Sequence, residues 1–163
     1  MDSLINVIAT GFGLGYSSWL PGTVGTLIGL PIAWYLLKLH WAKQVVVVLL
    51  MFALSIGIST KASNNMGGGD LPQIVADEYL AFPIATLGQS TLRSPWGMAA
   101  AFVVFRVFDI GKPPPVSIAD DIHSGFGIAL DDVIAALLAW IVLAIGVRRW
   151  KQEQAELARL KQL

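Results

Sequence analysis

A chain of 163 residues that is 55% hydrophobic and 13% charged carries about half the charge of an ordinary soluble domain. It is too apolar to remain disordered. Its eleven Lys and Arg are balanced by eleven Asp and Glu, so no surplus positive charge is left to displace the counterions of a nucleic acid. With no cysteine, a disulfide framework, a thiolate metal site and a cysteine nucleophile are all excluded. The length fits one domain, and the classes left are a small membrane protein or an unusually apolar helical bundle.

The N-terminus, MDSLIN, lacks the basic start of a cleaved signal. A Gly-rich loop follows at residues 11–26, GFGLGYSSWLPGTVGT, and leads into the first apolar run. Glycines let a backbone approach a ligand closely, and a helix N-terminus offers N–H groups that suit a phosphate. The spacing matches neither a nucleotide P-loop nor a dinucleotide fingerprint, and tight helix packing in lipid accounts for the same glycines.

Five apolar runs can be read in order: residues 25–39, 45–60, 79–92, 96–108 and 133–147. The second is uncharged throughout, while the third is weakened by Pro83 and Gly88. Period-2 alternation and hairpin signals are missing, which predicts an all-α fold, a compact multi-helix bundle. A span needs about 20 residues, and most runs reach that only by including their polar flanks. Trp19, Trp41, Trp96 and Trp150 lie at run edges, as an aromatic belt at a membrane interface requires. The competing setting makes the runs core helices of a soluble bundle or homo-oligomer. Residues 1–150 are expected to form the helical domain and 151–163 an amphipathic charged tail, within the stretch RRWKQEQAELARLKQL.

If all five runs cross, the loops at 11–22, 61–77 and 109–132 share one face, and the tips at 40–44 and 93–95 share the other. Eight of the eleven acids lie between Asp70 and Asp132, so they gather at the glycine-rich face. His40 falls at the opposite end.

Three further segments can carry chemistry. In IVADE, the adjacent Asp77 and Glu78 open an apolar run and are costly unless paired, protonated or bound to a cation; an N-cap role accounts for Asp77 alone. In FRVFDIGKPPP, Arg106 and Asp109 share a helix face and Lys112 stands where the prolines end the helix. They read either as a helix-end ion pair or as a carboxylate on a metal beside two phosphate-binding cations. In GFGIALDD, Asp131 and Asp132 open the last run, where the helix dipole favours one acid and a divalent cation would reconcile two. His123 is a candidate proton donor, although a histidine beside a glycine loop is more often a bystander. Acid clusters with two cations and no sulfur ligands suit Mg²⁺, which takes carboxylates, water and substrate phosphate oxygens. Such a site fits phosphoryl chemistry.

Taken together, residues 21–26 (PGTVGT), 74–78 (IVADE), 105–113 (FRVFDIGKP) and 125–132 (GFGIALDD) resemble the phosphatidylglycerophosphatase A family, all four blocks standing in the family order. The resemblance covers residues 11–139. It implies an all-helical membrane enzyme that hydrolyses phosphatidylglycerophosphate to phosphatidylglycerol and phosphate with Mg²⁺, in glycerophospholipid biosynthesis. Carried over by position, Asp77, Glu78, Asp109 and Lys112 are catalytic. The metal ligands would be Asp77, Glu78, Asp109, Asp131 and Asp132, and the substrate phosphate would be held by Gly22, Thr23, Arg106 and Lys112. A metal-activated water or Asp109 itself can serve as nucleophile. The chain departs from the family at Leu71, between Asp70 and Pro72, at Ser124, and at Pro114, changes that touch loops rather than charges.

Two rivals are weighed against this. A headgroup transferase would resemble Asp-Gly-x-x-Ala-Arg with spaced acids, and no such string occurs. A small cation-transport or scaffolding bundle would place acids at mid-membrane depth in the runs, whereas here they cluster at run ends. The resemblance implies a multi-pass protein of the inner membrane with its site on the cytoplasmic face. The charge distribution points the other way, since the site face carries Lys61, Arg106 and Lys112 and the opposite tips and tail carry the other eight cations.

Overall fold

The structure, a computed structural model, describes residues 2–18, 20–69, 71–122 and 125–162. Among these residues seven α-helices follow in order: α1 (Asp2–Ala9), α2 (Pro21–Leu36), α3 (Trp41–Met66), α4 (Ala76–Ala81), α5 (Pro95–Gly111), α6 (Val116–Asp120) and α7 (Gly125–Leu160). Short 3₁₀ turns lie at Leu14–Tyr16, Phe82–Thr86 and Ser90–Leu92. No strand occurs among the described residues, as the missing alternation predicts.

Local chemistry sets the helix starts. The Ser94 hydroxyl caps α5 by accepting from the Gly97 N–H at 3.0 Å, and Pro95 follows in the first turn, where no N–H is needed. At the start of α3 the His40 side chain accepts from the Ala42 N–H. Helix α2 starts at Pro21 with no side-chain cap, on Leu20 in the left-handed region at φ 45°.

The centre of the bundle is α7, which packs against α3, α5, α6 and the Phe82–Thr86 turn. Its inner face is Ala135, Ala136 and Ala139, all fully buried, and side chains this small let neighbours come close. Phe82 and Phe105, also fully buried, meet edge-to-face with centroids 5.6 Å apart. On α2, a Cβ at Gly25 would come within 2.7 Å of the Val75 Cβ, and one at Gly29 within 2.9 Å of the Phe82 Cβ. Close packing thus explains these two glycines.

Several boundaries differ from the sequence reading. The third run, 79–92, is α4 followed by two 3₁₀ turns, not one helix. Pro83 has no N–H to continue a ladder, and Gly88 sits at φ +73°. The segment still carries the chain to the other end of the bundle. There the Gly88 N–H donates to Gln44 Oε1 at 2.9 Å and the Trp140 indole donates to the Leu87 carbonyl at 2.7 Å. The last run starts earlier than expected, at Gly125, and residues 148–160 continue α7 without a break. Asp131 and Asp132 therefore stand in its second turn, beyond the reach of the terminal dipole. Trp41, Trp96 and Trp150 are exposed, and Trp19 lies outside the described residues.

Helices α3 and α7 are long and apolar enough to cross a membrane. At 26 and 36 residues they run about 39 and 54 Å, against a hydrocarbon core of about 30 Å. Val46, Leu49, Leu50 and Leu54 of α3 face outward, each more than half exposed.

Candidate active site

One cavity of about 310 Å³ collects most of the charged residues singled out above. Its walls come from five places: the start of α2 (Leu20, Pro21, Gly22), the loop before α4 (Leu71, Pro72, Ile74), the start of α4 (Asp77, Glu78), the end of α5 (Arg106, Asp109, Lys112) and the first two turns of α7 (Ile128, Asp131, Asp132). Segments far apart in sequence meet there because the 76–92 segment returns the chain to the opposite end, so that α5 comes back with its C-terminus beside Asp77.

Carboxylate oxygens of Asp77, Glu78 and Asp132 lie within 4.8 Å of one another, with Asp77 and Asp132 buried. Asp77 Oδ1 accepts from the Glu78 N–H at 3.2 Å, and the helix cap is Val75, so Asp77 is not the N-cap of α4. Glu78 Oε2 is buried and has no hydrogen-bond partner. Burial pushes the Glu78 carboxyl up to about 7, helped by the charge of Asp109, while Asp77 and Arg106 pull the other way. A carboxyl in this range loses its proton to solvent when a cation takes its place.

The remaining acids of the expected metal set are engaged by cations. Asp109 accepts from Arg106 one helical turn earlier, both side chains being 12% exposed. Lys112 Nζ donates to Asp120 and, at 3.0 Å, to Asp131 Oδ2, while Asp131 Oδ1 accepts from the Asp132 N–H at 2.9 Å. Consecutive helical residues point about 100° apart. Asp131 therefore faces Lys112 while Asp132 faces Asp77 and Glu78, which resolves the adjacent pair without one shared ion. Burial alone would lower the Lys112 pKa, but Asp120 and Asp131 outweigh it and hold the ammonium above the ordinary lysine range. Lys112 caps α5 in the left-handed region at φ 39°, a strain of about 1 kcal/mol that its two ion pairs offset.

Arg106 brings an orphan of opposite kind, since its Nε is buried without a partner. An unsatisfied acceptor on Glu78 and an unsatisfied donor on Arg106 belong to residues lining the same cavity, where a cation and an anion could satisfy them. The three-carboxylate cluster offers hard oxygen donors, the set that suits Mg²⁺.

Gly22 is held to glycine by this arrangement. A Cβ there would overlap Glu78 Oε1 and come within 3.2 Å of Arg106 Nη1. Both are ends of flexible side chains, so Gly22→Ala is expected to fold normally but displace the Glu78 carboxylate. Catalytic activity should fall at least tenfold with a thermal midpoint within about 2 °C of wild type, as measured by turnover beside a melting curve.

Thr23 does not line this cavity. It faces a neighbouring apolar groove, and its N–H is spent on the Leu20 carbonyl at 2.9 Å. His123, Asp70 and Ser124 lie outside the described residues. Sequence reasoning left Asp120 out of the site. It acts across the Pro113–Pro115 turn, eight residues from Lys112, a separation with no periodic signature. It also missed α1, to which the site loop is tied by the Val75 N–H on the Ala9 carbonyl (2.8 Å) and the Tyr79 hydroxyl on the Ile8 carbonyl (2.9 Å).

The sequence model of the family described as Phosphatidylglycerophosphatase A matches residues 7–147. A protein of Escherichia coli named Phosphatidylglycerophosphatase A is 34% identical over 152 residues, 92% of this chain and 87% of its own length. One of the same name from Haemophilus influenzae is 36% identical, with 90% of each chain covered. A Bacteroides thetaiotaomicron protein, named as a candidate phosphatidylinositol-3-phosphatase, is 36% identical over 88% of this chain and 92% of its own. No solved structure matches.

Proposed function

The chain belongs to the phosphatidylglycerophosphatase A family, and from that premise we propose that it is a Mg²⁺-dependent lipid phosphatase converting phosphatidylglycerophosphate to phosphatidylglycerol and phosphate. The observation that carries this reading is the meeting, in one cavity, of a buried three-carboxylate cluster with Arg106 and Lys112. Asp77, Glu78 and Asp132 would hold the ion, with Asp109 and Asp131 behind them. When bound, a divalent cation supplies Lewis acidity toward the phosphate and its attacking water.

The protein's own groups do the rest. Arg106 directs its unpaired Nε–H at a nonbridging phosphate oxygen, and Lys112, kept charged by Asp120 and Asp131, offsets the charge that builds in the transition state. Asp109, turned toward the cavity and fixed by Arg106, accepts the proton of the attacking water. As the water oxygen bonds to phosphorus, the bond from phosphorus to the glycerol oxygen breaks, and that oxygen takes a proton from solvent. Gly22 lets the start of α2 close over the phosphate without a side chain between.

The two apolar helices, α3 and α7, fit a protein of the inner membrane whose polar tail, residues 151–163, leaves the bilayer at the end opposite the site. On the family likeness the site opens to the cytoplasmic face, against the positive-inside tendency of the flanking charges. A role in glycerophospholipid synthesis follows from the product.

The test is phosphate release by the purified protein in detergent micelles. Phosphatidylglycerophosphate with Mg²⁺ should be hydrolysed, EDTA should reduce release at least 10²-fold, and added Mg²⁺ should restore it. Undiminished release in EDTA would remove the metal from the mechanism. Preferential hydrolysis of phosphatidylinositol 3-phosphate would keep the enzyme class but reassign its headgroup.

A further inference from the structure

Beside the charged cavity lies a second hollow of about 470 Å³, almost entirely apolar, between Thr23 at the start of α2 and the outer face of α5. On α5 its wall is Val103, Arg106, Val107 and Ile110, positions spaced to share one helix face. Val103, Val107 and Ile110 are each about three-fifths exposed. Arg106 and Ile110 line both cavities, so the guanidinium stands at their boundary. It faces the Asp109 carboxylate on one side and an apolar channel on the other, and among the described residues it is the one charged member of that channel's wall.

We propose that this groove receives the acyl–glycerol part of the substrate, making the enzyme selective for phosphomonoesters that carry long acyl chains. The inference rests on the lipid-phosphatase reading above and adds where the rest of the lipid lies. In phosphatidylglycerophosphate the terminal phosphate is joined to the acyl-bearing glycerol by a short polar link, a headgroup glycerol and a phosphodiester. A site that draws the phosphate in among Glu78, Arg106 and Lys112 must therefore give the chains an apolar way out within that reach. The Val103–Val107–Ile110 stripe is continuous with the phosphate end through Arg106, and α5 extends it along a helix about 25 Å long. A packed helix from a second copy would lay an apolar face against the edge of the guanidinium and leave its donor unmet, whereas an anionic headgroup complements it. Thr23, at the start of α2, also lines the groove, and on this reading it borders the glycerol end. This gives the Thr23 loop a role toward the lipid backbone rather than the phosphate.

Blocking the groove tests this. Val107→Trp places a large ring on an exposed position in the groove, and Val103→Trp does so one turn away. Leu49→Trp, on the outward face of α3 and 61% exposed, controls for added aromatic bulk at the lipid surface. Each protein is assayed in the same detergent with dipalmitoyl phosphatidylglycerophosphate and with its dibutyryl counterpart. Both groove variants should lose about tenfold in kcat/KM on the long-chain lipid and less than twofold on the short-chain one, with the loss carried by KM. The Leu49 control should match wild type on both. Equal losses on the two chain lengths, or no loss in either groove variant, would overturn the groove while leaving the activity in place. A wild-type protein that hydrolyses neither lipid would instead overturn the lipid-phosphatase reading itself.

Discussion

Asp132→Asn should lower phosphate release about 10³-fold while leaving the metal-free protein at least as stable as wild type. The two effects have opposite signs for one physical reason. Asp132 is buried in the second turn of α7 with its carboxylate among those of Asp77 and Glu78. Without a cation the cluster is a concentration of like charge that folding must tolerate, so neutralising one member relieves repulsion. With a cation the same charge is a ligand, and Lewis-acid stabilisation of several kcal/mol depends on it. About 4 kcal/mol corresponds to the predicted 10³-fold. Melting curves in EDTA, run beside kcat measurements in Mg²⁺, separate these effects. A variant that loses activity because it loses stability would show the cluster to be structural, and one that keeps full turnover would remove Asp132 from the site.

Arg106→Ala should be damaging in both respects. Arg106 and Asp109 are a nearly buried pair at the end of α5, and removing one partner leaves a charge uncompensated, at a cost of about 3 kcal/mol. The same change removes the donor that the phosphate is proposed to meet, worth about 10²–10³-fold in kcat. The double variant Arg106→Ala with Asp109→Asn, which also lacks the proposed base, isolates the effect on stability. Stability should largely return, because the stranded carboxylate is neutralised, while activity should not. Denaturant unfolding and phosphate release on the single and double variants check this. Recovery of activity in the double variant would remove both Arg106 and Asp109 from the chemistry.

The residues that meet in the cavity were legible in the sequence because of an imbalance rather than a motif. In a chain this poor in charge, adjacent acids such as Asp77 and Glu78 at the edge of an apolar run demand a reason. Arg106 and Asp109, three apart, announce a shared helix face. The partition of these acids was not legible. Asp131 and Asp132 read as one pair at a helix start, yet α7 begins six residues earlier and turns them toward different neighbours. Asp120 gave no signal, because its contact with Lys112 depends on how the proline turn places α6. Thr23 illustrates the same limit: it is one residue from Gly22, and the helix rotates it out of the charged cavity and onto the groove.

The sequence alone determined the helical class, the apolar surfaces and the set of charges that had to be reconciled, because periodicity and the cost of burying charge are local properties of residues. Only the tertiary structure decided which charges meet. Whether a carboxylate is a ligand, an ion-pair partner or a helix cap depends on the rotation of each helix and on the broken 76–92 segment that returns α5 to the site. Pairing energies act between residues distant along the chain, and nothing local to either partner encodes their distance.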